Sequence, residues 1–299
     1  MTKSVIFDLD NTLYNWLDII VPAVREMVDK AAEITGIPED VIIRDLRKVN
    51  VSKGTIEHPY SLLEAACITD FLKSHPTESG KKLIDPAFHA FNKHRKSNLK
   101  LYEGTKSVLK LLREKNFRIL AFTEAKVEAT VDRISRLHLE TYFDVIYCIR
   151  SVGFSDSDLH TDKFYSRIKP SKIKLLDSSV RKPNPEILQR ILEKEGLIPS
   201  ETWYVGDSLV RDVGMAVSAG VNAAWAKYGT EHDPENMKFL ISITHWSDDE
   251  VQENKKMAGR SDPKPDFILD KSPLDLEKNA ALFDTKHLLG ADSKPSAYS

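Results

Sequence analysis

Apolar residues in this chain follow two rhythms, and the change from one to the other marks out its parts. Ser4 to Leu9 is a short β-branched and aromatic run that stops at acidic residues and Asn11, the pattern of a buried strand delivering a loop. From Trp16 to about Arg95 the pattern is different. Trp16, Ile19, Ile20, Ala23, Val24, Met27, Val28 and Ala31 recur at three- and four-residue spacing, which predicts one face of a helix. Leu62, Leu63, Ala66, Phe71 and Leu72 predict a second helix, and Phe88 with Phe91 a third. No strand pattern interrupts this stretch, so it reads as an all-helical insert.

After Tyr102 helices and strands alternate. Val108, Leu109, Leu111 and Leu112 form a helical stripe, and Phe117 to Thr123 follows as a strand. Further strands are expected at Phe143 to Cys148, Thr202 to Val205, Val221 to Trp225 and Phe267 to Leu269. The helix between two of them is well punctuated, with Pro185 near its start, Ile187, Leu188, Ile191 and Leu192 as its stripe, and Gly196 at its end. Strands separated by helices imply a parallel, Rossmann-like α/β sheet covered on both faces, with right-handed crossovers. Arg150 to Val180 and Lys227 to Pro265 are longer than this rhythm needs and are expected to carry function or local structure. The expected division is an α/β core over residues 1–14 and 99–283, the helical unit over 15–98, and a mobile tail over 284–299.

Composition narrows the function classes. With 41% hydrophobic residues in 299, the chain can bury a substantial core, which excludes disorder as its main state. Its 43 Lys plus Arg against 45 Asp plus Glu give no basic excess for binding a nucleic-acid polymer. The two cysteines, Cys67 and Cys148, are far apart, so neither a disulfide framework nor a cysteine zinc site is expected, and both read as buried small hydrophobes. The apolar run after Met1 is too short for a signal peptide or a membrane span, and a cytoplasmic setting with no membrane partner is expected.

In open parallel sheets, ligands sit beyond the carboxyl ends of the strands. The first strand ends in Asp8-Leu9-Asp10-Asn11-Thr12, the second in Thr123, and a later one in Gly206-Asp207-Ser208 with Asp212 following. Lys182 precedes Pro183-Asn184-Pro185 and a helix start. Fold logic thus gathers several carboxylates, one hydroxyl and one ammonium at a single rim. Carboxylates this close resist joint ionisation unless a cation joins them. Mg²⁺ is the hard ion that takes one or two carboxylates together with waters and a substrate phosphate. Phosphate monoesters hydrolyse so slowly unaided that enzymatic accelerations reach about 10²¹. An aspartate nucleophile, fixed donors and a second carboxyl group acting on the leaving oxygen each supply part of that.

Together, Asp8-Leu9-Asp10-Asn11-Thr12-Leu13, Thr123, Lys182-Pro183 and Gly206-Asp207-Ser208 through Asp212 resemble, in order and in strand context, the four motifs of the haloacid dehalogenase superfamily. The resemblance covers roughly residues 1–283, and the helical insert resembles the cap domain of many members. It implies Asp8 as nucleophile and Asp10 as general acid and base, with the Asp10 backbone carbonyl facing the metal. Asp8, Asp10 and Asp207 are then the metal residues, Thr123 and Lys182 the phosphate-binding pair, and Asp212 a support for the metal or for Lys182. Family dehalogenases generally lack the second aspartate, so Asp10 favours the phosphatase branch. Glu124 departs from the pattern, since relatives often place Asn or a small residue after the motif-two hydroxyl; it is expected to point away, to pair with a base such as Lys126, or to alter substrate preference.

Blander readings apply to single residues. Thr123 alone is a strand-ending hydroxyl capping its own backbone, Lys182 an exposed lysine, and Asp212 a first-turn helix carboxylate. Asp156, Asp158 and Asp162 do not form a calcium loop, because Thr161 and Arg167 stand where Gly and Glu are required. Lys93-His94-Arg95-Lys96 reads as a solvated helix face, with contact to an anionic substrate as the alternative. The joint reading is a Mg²⁺-dependent phosphatase of a small phosphorylated metabolite, working through an aspartyl phosphate. A phosphomutase and a non-catalytic protein that binds a phosphorylated ligand are the alternatives.

Overall fold

A computed structural model describes residues 3–58, 60–76, 79–151, 153–154, 158, 168–246, 249 and 263–283. Asp156, Asp162 and the expected tail 284–299 lie outside the described residues. The strands β1 (Ser4–Phe7), β2 (Arg118–Lys126), β3 (Val145–Ile149), β4 (Ile173–Leu176), β5 (Thr202–Gly206), β6 (Asn222–Ala226) and β7 (Phe267–Leu269) form one sheet in the order β4-β3-β2-β1-β5-β6-β7. Every pairing is parallel. Strands of such a sheet are buried on both faces, which is why they read as continuous apolar runs. Val5, Phe7, Ile119, Ala121 and Val205 pack on one face, with α6 (Thr105–Glu114) and α7 (Val127–Arg136) over them. Ile6, Leu120, Phe122 and Tyr204 pack on the other, against α8 (Pro185–Glu195) and α9 (Met215–Ser218).

The strand order reverses direction at β1. Its Phe7 is in register with Ala121 of β2 on one side and Val205 of β5 on the other. The crevice opened by this reversal lies beyond the carboxyl ends of β1 and β5.

Between β1 and α6 the chain forms the helices α1 (Leu17–Thr35), α2 (Glu39–Lys53), α3 (Ser61–Glu64), α4 (Ala66–Ser74) and α5 (Ser79–Asn98). Its entry and exit run side by side, with an antiparallel bridge between Tyr14 and Leu101 and a hydrogen bond of 3.0 Å from the Tyr102 N–H to the Leu13 carbonyl. These helices bury a second core around Ile20, Val24, Ile42, Leu46, Leu62 and Ile68.

The structure departs from the sequence reading in several places. Helix α2 is absent from the expected elements: its apolar residues are interleaved with charged ones, and only Ile42, Leu46 and Val49 of them are buried. The single helix expected over Leu62 to Leu72 is two helices, broken where Ala65 adopts extended backbone. The long 150–180 stretch holds the edge strand β4, and the 227–265 stretch holds α10 (Pro234–Ile243). Cys148 is buried as expected, whereas Cys67 is only partly so. Among the described residues no helix is long and apolar enough to cross a membrane.

Helix α10 belongs to the helical insert by packing, although it comes from between β6 and β7. Asp233 caps its first turn, accepting from the Glu235 N–H at 2.8 Å. Phe239, Leu240 and Ile243 enter the insert's core, Arg25 of α1 lies 4.2 Å over the Phe239 ring, and Asn50 of α2 donates to the Ile243 carbonyl at 2.7 Å. Replacing Phe239 by Ala is expected to destabilise the protein by about 3–5 kcal/mol, the usual cost of emptying a buried aromatic site. Denaturant unfolding measures this, and an unchanged midpoint would show that α10 does not share the insert's core.

Candidate active site

The motif-one loop is held by its own chain. Asp8 extends the β1–β5 pairing, its N–H donating to the Val205 carbonyl at 2.8 Å. Three residues on, Asn11 takes left-handed backbone (φ 56°), a conformation Asn tolerates better than most residues. Its side-chain oxygen accepts the N–H groups of Trp16 and Leu17 at 3.0 and 3.1 Å, which fixes the start of α1. The segment after β6 braces this loop from outside. Tyr228 donates to the Thr12 carbonyl at 2.6 Å, and Gly229 lies so close that a Cβ there would stand 1.8 Å from the Asn11 carbonyl oxygen. Glycine is therefore required at 229.

Asp207 and Asp212 follow β5. A π-helical turn, Leu209–Gly214, brings Asp212 back toward the strand end, where its Oδ2 accepts the Ser208 N–H at 3.0 Å. The carboxyl group occupies the space a side chain on residue 206 would need, since a Cβ on Gly206 would lie 2.4 Å from the Asp212 Cγ. A glycine before Asp207 is thus the condition for Asp212 to reach the site.

Lys182 arrives from the connection between β4 and α8. Its Nζ donates to Asp8 Oδ1 at 2.6 Å and to Asp212 Oδ1 at 2.8 Å, and it lies over the rings of Phe122 and Tyr204 at 5.1 and 5.4 Å. The lysine is 7% exposed, so the exposed-lysine reading is set aside. Its main chain is fixed by Glu124, whose Oε1 accepts the Lys182 N–H at 3.1 Å while Oε2 pairs with Arg211. The departure at position 124 is thereby explained. Glu124 is neutralised by Arg211 rather than by Lys126, whose ammonium donates to the Lys53 carbonyl of the insert at 3.0 Å.

Thr123 is buried, and its hydroxyl oxygen accepts the Ala125 N–H at 3.1 Å, the local capping that a strand-ending threonine can make. A hydroxyl that accepts in this way still has its own proton to donate. Asp10 lies apart from the other three carboxylates. Both of its oxygens accept from Arg133 Nη1, at 2.8 and 3.0 Å. Arg133 escaped the sequence reading because an arginine on α7 looks like any solvated helix residue; only the fold carries it to motif one.

Asp8, Asp207 and Asp212 offer carboxylate oxygens that lie within 4.8 Å of one another. One ammonium, Lys182, is set among these three acids. Burial raises the Asp8 carboxyl to about 7, against the pull of Lys182 and with the push of Asp212. Asp207 is held well above the ordinary carboxylate range by burial and then by Asp212 and Asp8. Burial favours the neutral amine of Lys182, but Asp212 and Asp8 together hold its ammonium well above the usual value. The site is short of positive charge, and its donors are all hard oxygens, the set that suits Mg²⁺.

A family model for haloacid dehalogenase-like hydrolases matches residues 2–220. The chain is 26% identical over 241 residues to a glyceraldehyde 3-phosphate phosphatase of Methanopyrus kandleri, a match covering 79% of this chain and 88% of that protein. It is 26% identical over 231 residues to an N-acylneuraminate-9-phosphatase of Rattus norvegicus, covering 74% and 80%, and 27% identical over 233 residues to a phosphoglycolate phosphatase of Vibrio vulnificus, covering 77% and 86%. Among solved structures, a HAD phosphatase from Thermococcus onnurineus superposes with a TM-score of 0.46 at 18% identity, covering 82% of this chain and all of that one. The family match runs from β1 to the residues just before β6 and includes every element that contributes to the carboxylate and lysine cluster, so this chain belongs to the haloacid dehalogenase-like hydrolases.

Proposed function

We propose that this hydrolase is a Mg²⁺-dependent phosphatase acting on a small phosphorylated metabolite through a phosphoryl group carried on Asp8. The observation that carries the reading is the meeting of Asp8, Asp207, Asp212 and Lys182 at one strand-end crevice. The relatives named for glyceraldehyde 3-phosphate, phosphoglycolate and an acylneuraminate phosphate support the substrate class. Cytoplasmic residence is part of the same proposal, supported by Cys67 and Cys148 standing as free thiols.

Asp8, Asp207 and the Asp10 backbone carbonyl would hold Mg²⁺, with Asp212 beside them. The ion supplies charge neutralisation at the carboxylates and at the transferring phosphoryl oxygens. Asp8 then attacks phosphorus through a carboxylate oxygen, and the bond to the leaving oxygen breaks. Asp10 gives that oxygen a proton, and in the second half takes one from the water that attacks the phosphorus on Asp8, releasing inorganic phosphate. Lys182 and the Thr123 hydroxyl hold phosphoryl oxygens where negative charge builds. Asp212, through its bond to Lys182, keeps the ammonium aimed at Asp8. Residues 15–98 serve as the cap over the core formed by residues 1–14 and 99–283, shielding the transfer step from water.

Asp8→Asn is expected to abolish phosphate release and labelling of the enzyme by substrate phosphate, with the fold intact. Asp10→Asn is expected to slow turnover by about 10²–10⁴-fold, the usual worth of general acid–base catalysis. Steady-state kinetics and mass spectrometry of the trapped phosphoenzyme check both, and near-normal turnover by Asp8→Asn would contradict the mechanism. Across a panel of phosphorylated metabolites, inorganic phosphate is expected to appear with Mg²⁺ and to stop with EDTA. Isomerised sugar phosphate in place of free phosphate would instead assign a mutase.

A further inference from the structure

Arg133 is a buried cation to which the chemistry above gives no role. It stands on α7 at 2% exposure and touches carboxylates from two different parts of the chain. Nη1 donates to both oxygens of Asp10 in the motif-one loop, at 2.8 and 3.0 Å. Nη2 pairs with Oε2 of Glu57, which lies in the connection between α2 and α3 of the helical insert. Glu57 is itself held by the Trp16 indole N–H at 2.9 Å. The Tyr14 ring, 5.9 Å from the guanidinium carbon, covers another side of the arginine.

A group that passes a proton to the leaving oxygen must hold its carboxyl in a defined place. A guanidinium bound to both oxygens fixes that place. Arginine does not lose its charge, so a buried guanidinium deserted by its only carboxylate is strongly destabilised. Glu57 is the second carboxylate that lets Asp10 loosen from Arg133 without that penalty. We propose that Arg133 is a positioning residue for Asp10, and that Glu57 of the insert sets how tightly Arg133 holds it. The insert thereby reaches the acid–base group through one side chain. This inference rests on the acid–base role proposed for Asp10.

The test separates positioning of the acid from simple bonding between insert and core. p-Nitrophenolate leaves without needing a proton, whereas an alkoxide does not, so the ratio of kcat/KM for an alkyl phosphate to that for p-nitrophenyl phosphate reports the general acid. The alkyl substrate is the best alkyl monoester from the metabolite panel, assayed with the full Mg²⁺-loaded chain. Asp10→Asn is expected to lower the ratio by about 10²-fold or more. Glu57→Gln puts the whole guanidinium charge on Asp10, and Arg133→Gln removes the anchor. Each is expected to lower the ratio at least about tenfold, Arg133→Lys less, as a partial rescue. Glu57→Gln added to Asp10→Asn is expected to lower it no further.

Glu57 is only partly buried, so its variant tests the idea even if Arg133→Gln fails to fold. A folded Glu57→Gln protein with an unchanged ratio, beside an Asp10→Asn protein in which the ratio collapses, would overturn the inference and leave the proposed function standing. An independent, additive loss in the double variant would overturn it as well. An unchanged ratio in Asp10→Asn would remove the acid–base role itself, and the inference with it.

Discussion

Three carboxylates crowd around one ammonium at the end of the central strands, and most of the local architecture exists to hold that unfavourable arrangement in place. Left to themselves, Asp8, Asp207 and Asp212 would separate or take up protons. They do not separate because each is tied to backbone. Asp8 is locked into the β1–β5 ladder, Asp207 directly follows β5, and Asp212 is folded back over Gly206 by a π-helical turn. The shortage of positive charge is built in, and it is what a divalent cation would answer.

The sheet topology makes this arrangement possible. β1 lies between β2 and β5, so residues about 200 positions apart become neighbours at one crevice. Lys182 has to come from the edge of the sheet, and the Glu124–Arg211 pair anchors its main chain on the way. The helical insert touches the same region at several points. Glu57 meets Arg133, the Lys53 carbonyl accepts from Lys126, and Arg95 of α5 pairs with Asp132 of α7 at 2.7 Å. Helix α10 adds a connection from the far side of the sheet into the insert's core. Any movement of the insert over the site must therefore exchange specific ion pairs and also carry or repack α10.

Much of this was legible in the sequence, for physical reasons. Strands buried on both faces are unbroken apolar runs, so β1 and β5 could be read to within two residues at each end, whereas β2 runs on through Glu124 to Lys126, past the expected end at Thr123, and β7 is an edge strand with Ile268 exposed. The chemistry could be read because acids, a threonine and a lysine stood at strand ends in the right order. Edge strand β4 was hidden: it is four residues long, includes Lys174, and has only Ile173 buried. Helix α2 was hidden by its charged composition, although Glu39 and Asp40 at its start and Gly54 at its end were usable signals. Asp233 followed by Pro234 likewise signals α10 inside a stretch expected to carry function or local structure. No local pattern could have revealed Arg133 or the Glu124–Arg211 pair, because those contacts span 123 and 87 positions and depend on strand order.

The central claim is that the carboxylate cluster is completed by a divalent cation, and calorimetric titration of Mg²⁺ into the protein tests it without reference to any substrate. One site per chain is expected in the wild type, and Asp207→Asn is expected to weaken it by at least about tenfold, since it removes one charged ligand. Equal Mg²⁺ binding by the two proteins, or none by either, would contradict the account.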